Sequence, residues 1–145
     1  MYRTRNHEKT YAFEKRSRKT KPCPFCTIRE EGREPISKSK YFLRIKNIFP
    51  FDTWDGYQVK AHELIIPKRH VTGLDALTAP ERKELIDLLC KADKEGYDTY
   101  ARHDGNEAKT VAHQHTHLIK TAGKPITHLV YVRKPHMLLV GKNHR

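Results

Sequence analysis

The chain has 145 residues, the length of one ordinary domain and enough to bury a core. No apolar run approaches the ~20 residues of a membrane span, and the basic first 21 residues lack the apolar middle of a secretory signal. These features exclude a helical membrane protein and lead us to expect a soluble, intracellular, cytoplasmic one. The net charge of +12 is unevenly spread. Residues 1–22 hold eight Lys/Arg against two acids, residues 23–119 hold fifteen of each, and residues 120–145 hold six against none. The body is balanced and the excess sits on the two ends, which suits contact with a polyanion such as nucleic acid, or solvated tails.

Residues 1–22 read as a loose basic arm, ordered where Tyr11-Ala-Phe13 finds a groove. Cys23-Pro-Phe-Cys26 follows. Two thiols at this spacing suit half of a tetrahedral zinc site, with a redox pair as the rival. A redox pair calls for a following helix, whereas residues 30–38 read as a polar turn. Tyr41 to Phe49 is aromatic and β-branched, hence a strand. Pro50 to Gly56 is a turn, and Tyr57 to Ile66 is a second strand antiparallel to the first. Thr78-Ala-Pro-Glu81 starts a helix, with Thr78 as cap, Pro in the first turn and Glu three after the cap. Leu85, Leu88, Leu89 and Ala92 continue it at helical spacing to about Tyr100, although Gly96 weakens its end. Cys90 is expected to pack within that helix. His103 to Ala108 is a loop and Thr110 to Ile119 a strand. Ile126 to Val132 is a further strand, Pro135 breaks it, and Met137 to Val140 is a short apolar strand or anchor. The expected fold is α+β, an antiparallel sheet with one long helix on a face. The divisions are a basic arm over 1–22, a central domain over 23–120 and a basic tail with short strands over 121–145.

The Thr110–Ile119 stretch carries His113, His115 and His117 at alternate positions. In a strand all three imidazoles share one face, ~6.8 Å between neighbours. A neutral imidazole can attack phosphorus and form a phosphoramidate that water cleaves, while its neighbours stabilise charge on the phosphate. The middle residue, His115, is best placed to attack. Thr110 and the backbone around Gly105 and Asn106 could donate to phosphate oxygens. Three histidines on a flat strand are too widely spaced to bind one zinc with ~2.0–2.1 Å bonds. A mixed site of Cys23, Cys26, His70 and His113 fits better, and four protein ligands make it structural.

In order along the chain stand Cys23-Pro-Phe-Cys26, Asn47-Ile-Phe-Pro50-Phe, Leu64-Ile-Ile-Pro-Lys-Arg-His70-Val, Asp104-Gly-Asn-Glu-Ala with Thr110-Val, and His113-Gln-His115-Thr-His117-Leu-Ile. With these motifs the chain resembles the histidine-triad (HIT) superfamily of nucleotide hydrolases and transferases over about residues 20–120. The resemblance implies a homodimer and cleavage at the α-phosphorus of a nucleoside phosphate ester, anhydride or phosphoramidate, through a nucleotidyl-histidine intermediate. It implies His115 as nucleophile, with His117 contacting phosphate and assisting the leaving group. It further implies Thr110 on phosphate, Asn47 near ribose and base, and one structural zinc per chain on Cys23, Cys26, His70 and His113. Gln114 and Thr116 depart from the family's apolar positions. A Gly-Gln pair usual before the Ser/Thr is absent, which leaves Lys109 to hold phosphate by charge and His103 or Asn106 to replace the missing donor. The alternatives are a zinc-stabilised nucleic-acid-binding module, or a HIT enzyme acting on adenylylated nucleic-acid ends. The balanced middle lacks the basic and aromatic stripe that a nucleic-acid surface needs.

Overall fold

The computed structural model describes residues 2–17, 22–28, 32–132 and 137–141. The elements in chain order are α1 (Arg5–Ser17), β1 (Ser37–Lys38), β2 (Phe42–Lys46), β3 (Thr53–Trp54), β4 (Tyr57–Pro67), α2 (Ala79–Lys94), β5 (Asp98–Ala101), β6 (Thr116–Pro125), β7 (His128–Val132) and β8 (Met137–Gly141). Among the described residues, six strands form one antiparallel sheet in the order β1-β2-β4-β6-β5, with β3 on β4, while β7 and β8 pair separately. This is the expected α+β fold. Residues 18–21 of the expected arm, Glu30 and Glu31 of the expected turn, Pro135 and the residues after Gly141 lie outside the described residues.

The two faces of the sheet have separate cores. Phe42, Ile65 and Leu118 point to one face and pack with Leu85 and Ala92 of α2 and with Val71 and Leu77 before it. Leu43, Ile45, Leu64 and Ile66 point to the other, under Ile28 and Phe25. Strand alternation produces this division, and α2 covers only the first face. A charged network ties the layers together. The Arg44 Nε donates to Glu63 at 2.5 Å and its Nη1 to Glu95 at 2.7 Å, while Tyr97 Oη donates to Glu63 at 2.7 Å.

The start of α2 agrees with the sequence and its end does not. Thr78 and Glu81 form a reciprocal capping box with Pro80 in the first turn. The helix stops at Lys94, not near Tyr100. Gly96 takes φ +80°, and its N–H and that of Tyr97 donate to the Asp93 and Ala92 carbonyls. That is a glycine helix stop, which a continuous helical reading overlooks. Residues 98–101 instead form the edge strand β5. Cys90 is exposed and is not a packing residue. Five residues beyond Leu85, it lies about 140° around the helix from the buried stripe.

Arg69 also donates to the Glu81 carboxylate, at 2.7 Å from its Nη2. These donors, Arg69 first and then Thr78, hold Glu81 down from an ordinary value near 4.5 to about 2. A depressed carboxyl stabilises the fold fully above its unfolded value and loses that contribution as pH falls through its folded value. We therefore expect denaturant midpoints to decline between about pH 4.5 and about 2. Glu81→Gln is expected to flatten that decline and to cost about 1 kcal/mol at pH 7, as a lost cap does. An unchanged slope in Glu81→Gln contradicts this assignment.

Residues 1–22 are not a loose arm throughout, because Arg5–Ser17 is helical. The local sequence carries few apolar residues, so the signal is tertiary. The backbone of Tyr2 bonds to Asp52 and Thr53, Asp52 accepts from Thr4 N at 2.6 Å, and Tyr11 packs edge-on against Phe49.

Candidate active site and metal centre

The histidine segment is only partly a strand. β6 begins at Thr116, so His113 and His115 lie in the irregular stretch leading into it. His117 pairs with Leu64 on β4 and Tyr100 on β5. This break gives the three imidazoles different surroundings, where a continuous strand would give them one.

His113 turns away from the other two. Its Nε2 donates to the Pro67 carbonyl at 2.9 Å, which leaves Nδ1 as the free lone pair. That Nδ1 lies 3.5 Å from Cys23 Sγ and 3.6 Å from Cys26 Sγ, and His70 Nδ1 lies 3.3 Å from Cys26 Sγ. The four ligand atoms all fall within 4.8 Å of one another. In a tetrahedron with bonds of about 2.3 Å to sulfur and about 2.0–2.1 Å to nitrogen, neighbouring ligands stand ~3.5 Å apart. The donor set, the spacing and the carbonyl behind His113 therefore fit a zinc ion. Partial burial and the neighbouring Cys23 push the Cys26 thiol up, opposite to the lowered thiol of a redox pair; a bound cation would reverse that shift. Among the described residues this is the one such metal-ligating group, and it takes a single histidine from the triad.

His115 and His117 face a cleft of about 440 Å³, within the range of small-ligand sites. The Nδ1 of His115 donates to the His113 carbonyl at 2.8 Å. This leaves the Nε2 lone pair available for attack. The tautomer of His117 is also fixed. Phe51 N donates to His62 Nδ1 at 3.1 Å, so the proton of neutral His62 is on Nε2 and points at His117 Nδ1, 2.8 Å away. His117 then carries its own proton on Nε2. Its ring is stacked on Tyr100 at 4.3 Å and 3°.

All three rings are buried and held neutral. His115 is pushed down to about 4, chiefly by burial, with the charges of Lys109, His113 and Arg102 adding to it. His62 falls to about 3, through burial, then Arg3 and His115. His117 falls to about 2, through burial, then His115, His62, Arg102 and Arg3. Phe25 packs edge-on against both His113 and His115, at 5.8 and 5.1 Å, so the Cys-Pro-Phe-Cys turn touches metal group and cleft together.

Of the other candidates, Asn47 and Thr110 line the cleft. The Asn47 Oδ1 accepts from Phe49 N at 3.0 Å, which leaves its amide nitrogen beside the His62 ring, 3.4 Å from the accepting Nδ1 and 3.1 Å from Nε2. Asn106 does not line the cleft. It ties the loop, accepting from Ala108 N at 3.0 Å and Arg102 Nη1 at 3.4 Å. His103 is exposed and bonds to the Asp104 carbonyl. Lys109 points inward, to the Thr72 carbonyl and to Gln114 Oε1 at 2.8 Å, so its charge is not offered to the cleft. Those bonds also account for the polar Gln114. It is buried beneath Lys109, and its backbone N–H donates to Val71 at 2.6 Å.

Sequence reasoning missed His62, Tyr100, Arg102 and Arg3. His62 had a signal. It stands two and four residues before Leu64 and Ile66, on the inward face of β4. Tyr100 had none while that segment read as helix.

The HIT domain model matches residues 34–124. Among curated proteins, none matches the sequence. Solved structures do. A HIT family hydrolase from Clostridium thermocellum superposes with a TM-score of 0.54 at 24% identity, covering 71% of this chain and 93% of its own. A HIT family hydrolase from Legionella pneumophila gives 0.52 at 25%, covering 73% and 96%. A zinc-bound histidine triad family protein from Mycobacterium smegmatis gives 0.52 at 25%, covering 70% and 76%. With the family match spanning most of its length and the same fold in these relatives, this chain belongs to the HIT domain family.

Proposed function

We propose that the protein is a nucleotidyl hydrolase or transferase that works through His115. The observation carrying this reading is the 2.8 Å bond from His115 Nδ1 to the His113 carbonyl, which exposes Nε2 to the cleft. In the first step Nε2 attacks the α-phosphorus. The N–P bond forms as the P–O or P–N bond to the leaving group breaks, and the bond pair departs with that group. Positive charge developing on the ring is stabilised by the Nδ1–H···O=C bond. The Nε2–H of His117 hydrogen-bonds the departing atom. Water or another acceptor then attacks phosphorus, the N–P bond breaks, and neutral His115 returns with a proton released to solvent. Thr110 donates to phosphate, Asn47 stands by the nucleoside, and Asn106 acts by shaping the loop.

One zinc per chain on Cys23, Cys26, His70 and His113 would serve as a structural clamp, since four protein ligands leave no open position. It joins the Cys-Pro-Phe-Cys turn to the end of β4 and to the triad. The reading includes a cytoplasmic homodimer, with a catalytic body over 23–120 flanked by basic ends available to nucleic acid. Among the described residues no helix is long and apolar enough to cross a membrane.

A panel of adenosine phosphoramidate, a dinucleoside polyphosphate and adenylylated DNA, at equal enzyme, tests the reading. Release of adenosine monophosphate from at least one is expected. Release from none, with salt-dependent DNA binding instead, would favour a binding module.

A further inference from the structure

The cleft extends beyond the matched family domain. The match begins at residue 34, yet Tyr2, Arg3, Glu8 and Tyr11 build one wall, and Tyr131 of β7 meets Tyr2 at 4.6 Å between ring centroids. Arg3 is the fixed point of that wall. Its Nε and Nη2 both donate to the Phe49 carbonyl at 3.2 Å. Its guanidinium lies over the Tyr11 ring at 4.2 Å and the Phe51 ring at 4.5 Å. Phe51 is in turn stacked 6.3 Å from His117. The order Tyr11, Arg3, Phe51, His117 puts the guanidinium on the His117 side of the site.

The charge of Arg3 disfavours protonation of His62 and His117; Arg102 acts on both His115 and His117, and Lys109 on His115. The Glu8 carboxylate forms an ion pair with Arg3, 3.8 Å from its Nη1. Arg33, Lys46 and Arg102 also line the cleft, so among its described lining residues four cations face the two carboxylates of Glu8 and Glu107. A guanidinium held by a carbonyl and two ring faces is preorganised for a phosphate oxygen.

We propose that Arg3 is a specificity-determining residue that reads negative charge on the leaving group, so that the cleft favours a nucleotidyl group joined to a polyphosphate over one joined to a neutral amine. This rests on the nucleotidyl-His115 reading above. The bond between the α-phosphorus and the bridging oxygen breaks, and its electron pair departs with the polyphosphate, facing Arg3 and the Nε2–H of His117. The neutral His62–His117 pair supports the choice. It offers a hydrogen bond but no imidazolium proton at neutral pH, and a departing amine needs a proton where a polyphosphate does not.

The test uses the full chain, Arg3→Gln and Arg3→Lys, with AMP and ATP binding measured by calorimetry. It also compares kcat/KM for a diadenosine polyphosphate and for adenosine phosphoramidate. Arg3→Gln is expected to weaken ATP about tenfold, as loss of a charge-assisted contact does, and AMP less than about twofold. Arg3→Lys should recover part of the loss. The kcat/KM values should divide the same way. Equal losses for both nucleotides, or none for either, overturn the proposal. If Arg3→Gln fails to fold, Glu8→Gln decides, with ATP tightening and AMP unchanged expected; weaker ATP overturns it. A parent that binds nucleotides without turning any over sinks the nucleotidyl-histidine reading alone, because the ATP-to-AMP ratio still decides for Arg3. A parent that binds neither nucleotide overturns both.

Discussion

His115→Ala is expected to lower nucleotide turnover by at least about a thousandfold, the scale of losing a nucleophile, with little change in the thermal midpoint. The imidazole lines the cleft, and among the described residues its one hydrogen bond is to the His113 carbonyl. Removing it therefore deletes the attacking nitrogen and leaves the sheet intact. His117→Ala should cost less with a polyphosphate leaving group than with an amine, since Nε2–H assists departure and does not form the bond to phosphorus. Steady-state kinetics on both variants, with a thermal scan of each, checks the pair. Full activity in His115→Ala would mean that another group attacks.

The second large effect falls on stability. Changing both Cys23 and Cys26 to serine is expected to lower the thermal midpoint by more than about 10 °C. A chain of this length shifts by roughly 2–4 °C per kcal/mol, and a structural zinc contributes several kcal/mol to the folded state. Elemental analysis of protein purified without chelator should find about one zinc per chain. Prolonged chelation should reproduce the serine phenotype. Activity should decline with it, because Phe25 sits between the two cysteines and packs on His115. If His115→Ala destabilised the protein more than the double serine variant, the metal group would not be the clamp.

The parts of the molecule legible in the sequence are those governed by local rules. Aromatic and β-branched content marked β2, the turn after it set off β4, and the Thr78 to Glu81 box marked the start of α2. Cys23, Cys26, His70 and His113 could be selected as a zinc set because the chemistry of those donors narrows the choice; their ligand atoms meet within 4.8 Å. The parts that were not legible depend on distant neighbours. Tyr100 belongs to a strand because its backbone pairs with His117 after a glycine stop at Gly96. The helix α1 and Thr4 just before it dock on Phe49 and Asp52, which lie far along the chain. Lys109 looked available to phosphate, and only the fold turns it toward Gln114 and Thr72. The even spacing of the three histidines suggested one shared surface. The late start of β6 divides them into a metal-facing ring, a ring with a free Nε2 and a ring locked by His62 and Tyr100.

The most direct measurement is the intact mass of the protein quenched at alkaline pH, where an N–P bond survives, during turnover of a dinucleoside polyphosphate. The expected result is a population one nucleotidyl group heavier than the free chain, mapped to His115 by fragmentation and absent from His115→Ala. Turnover with no adduct in the parent, or the same adduct retained in His115→Ala, would contradict attack by His115.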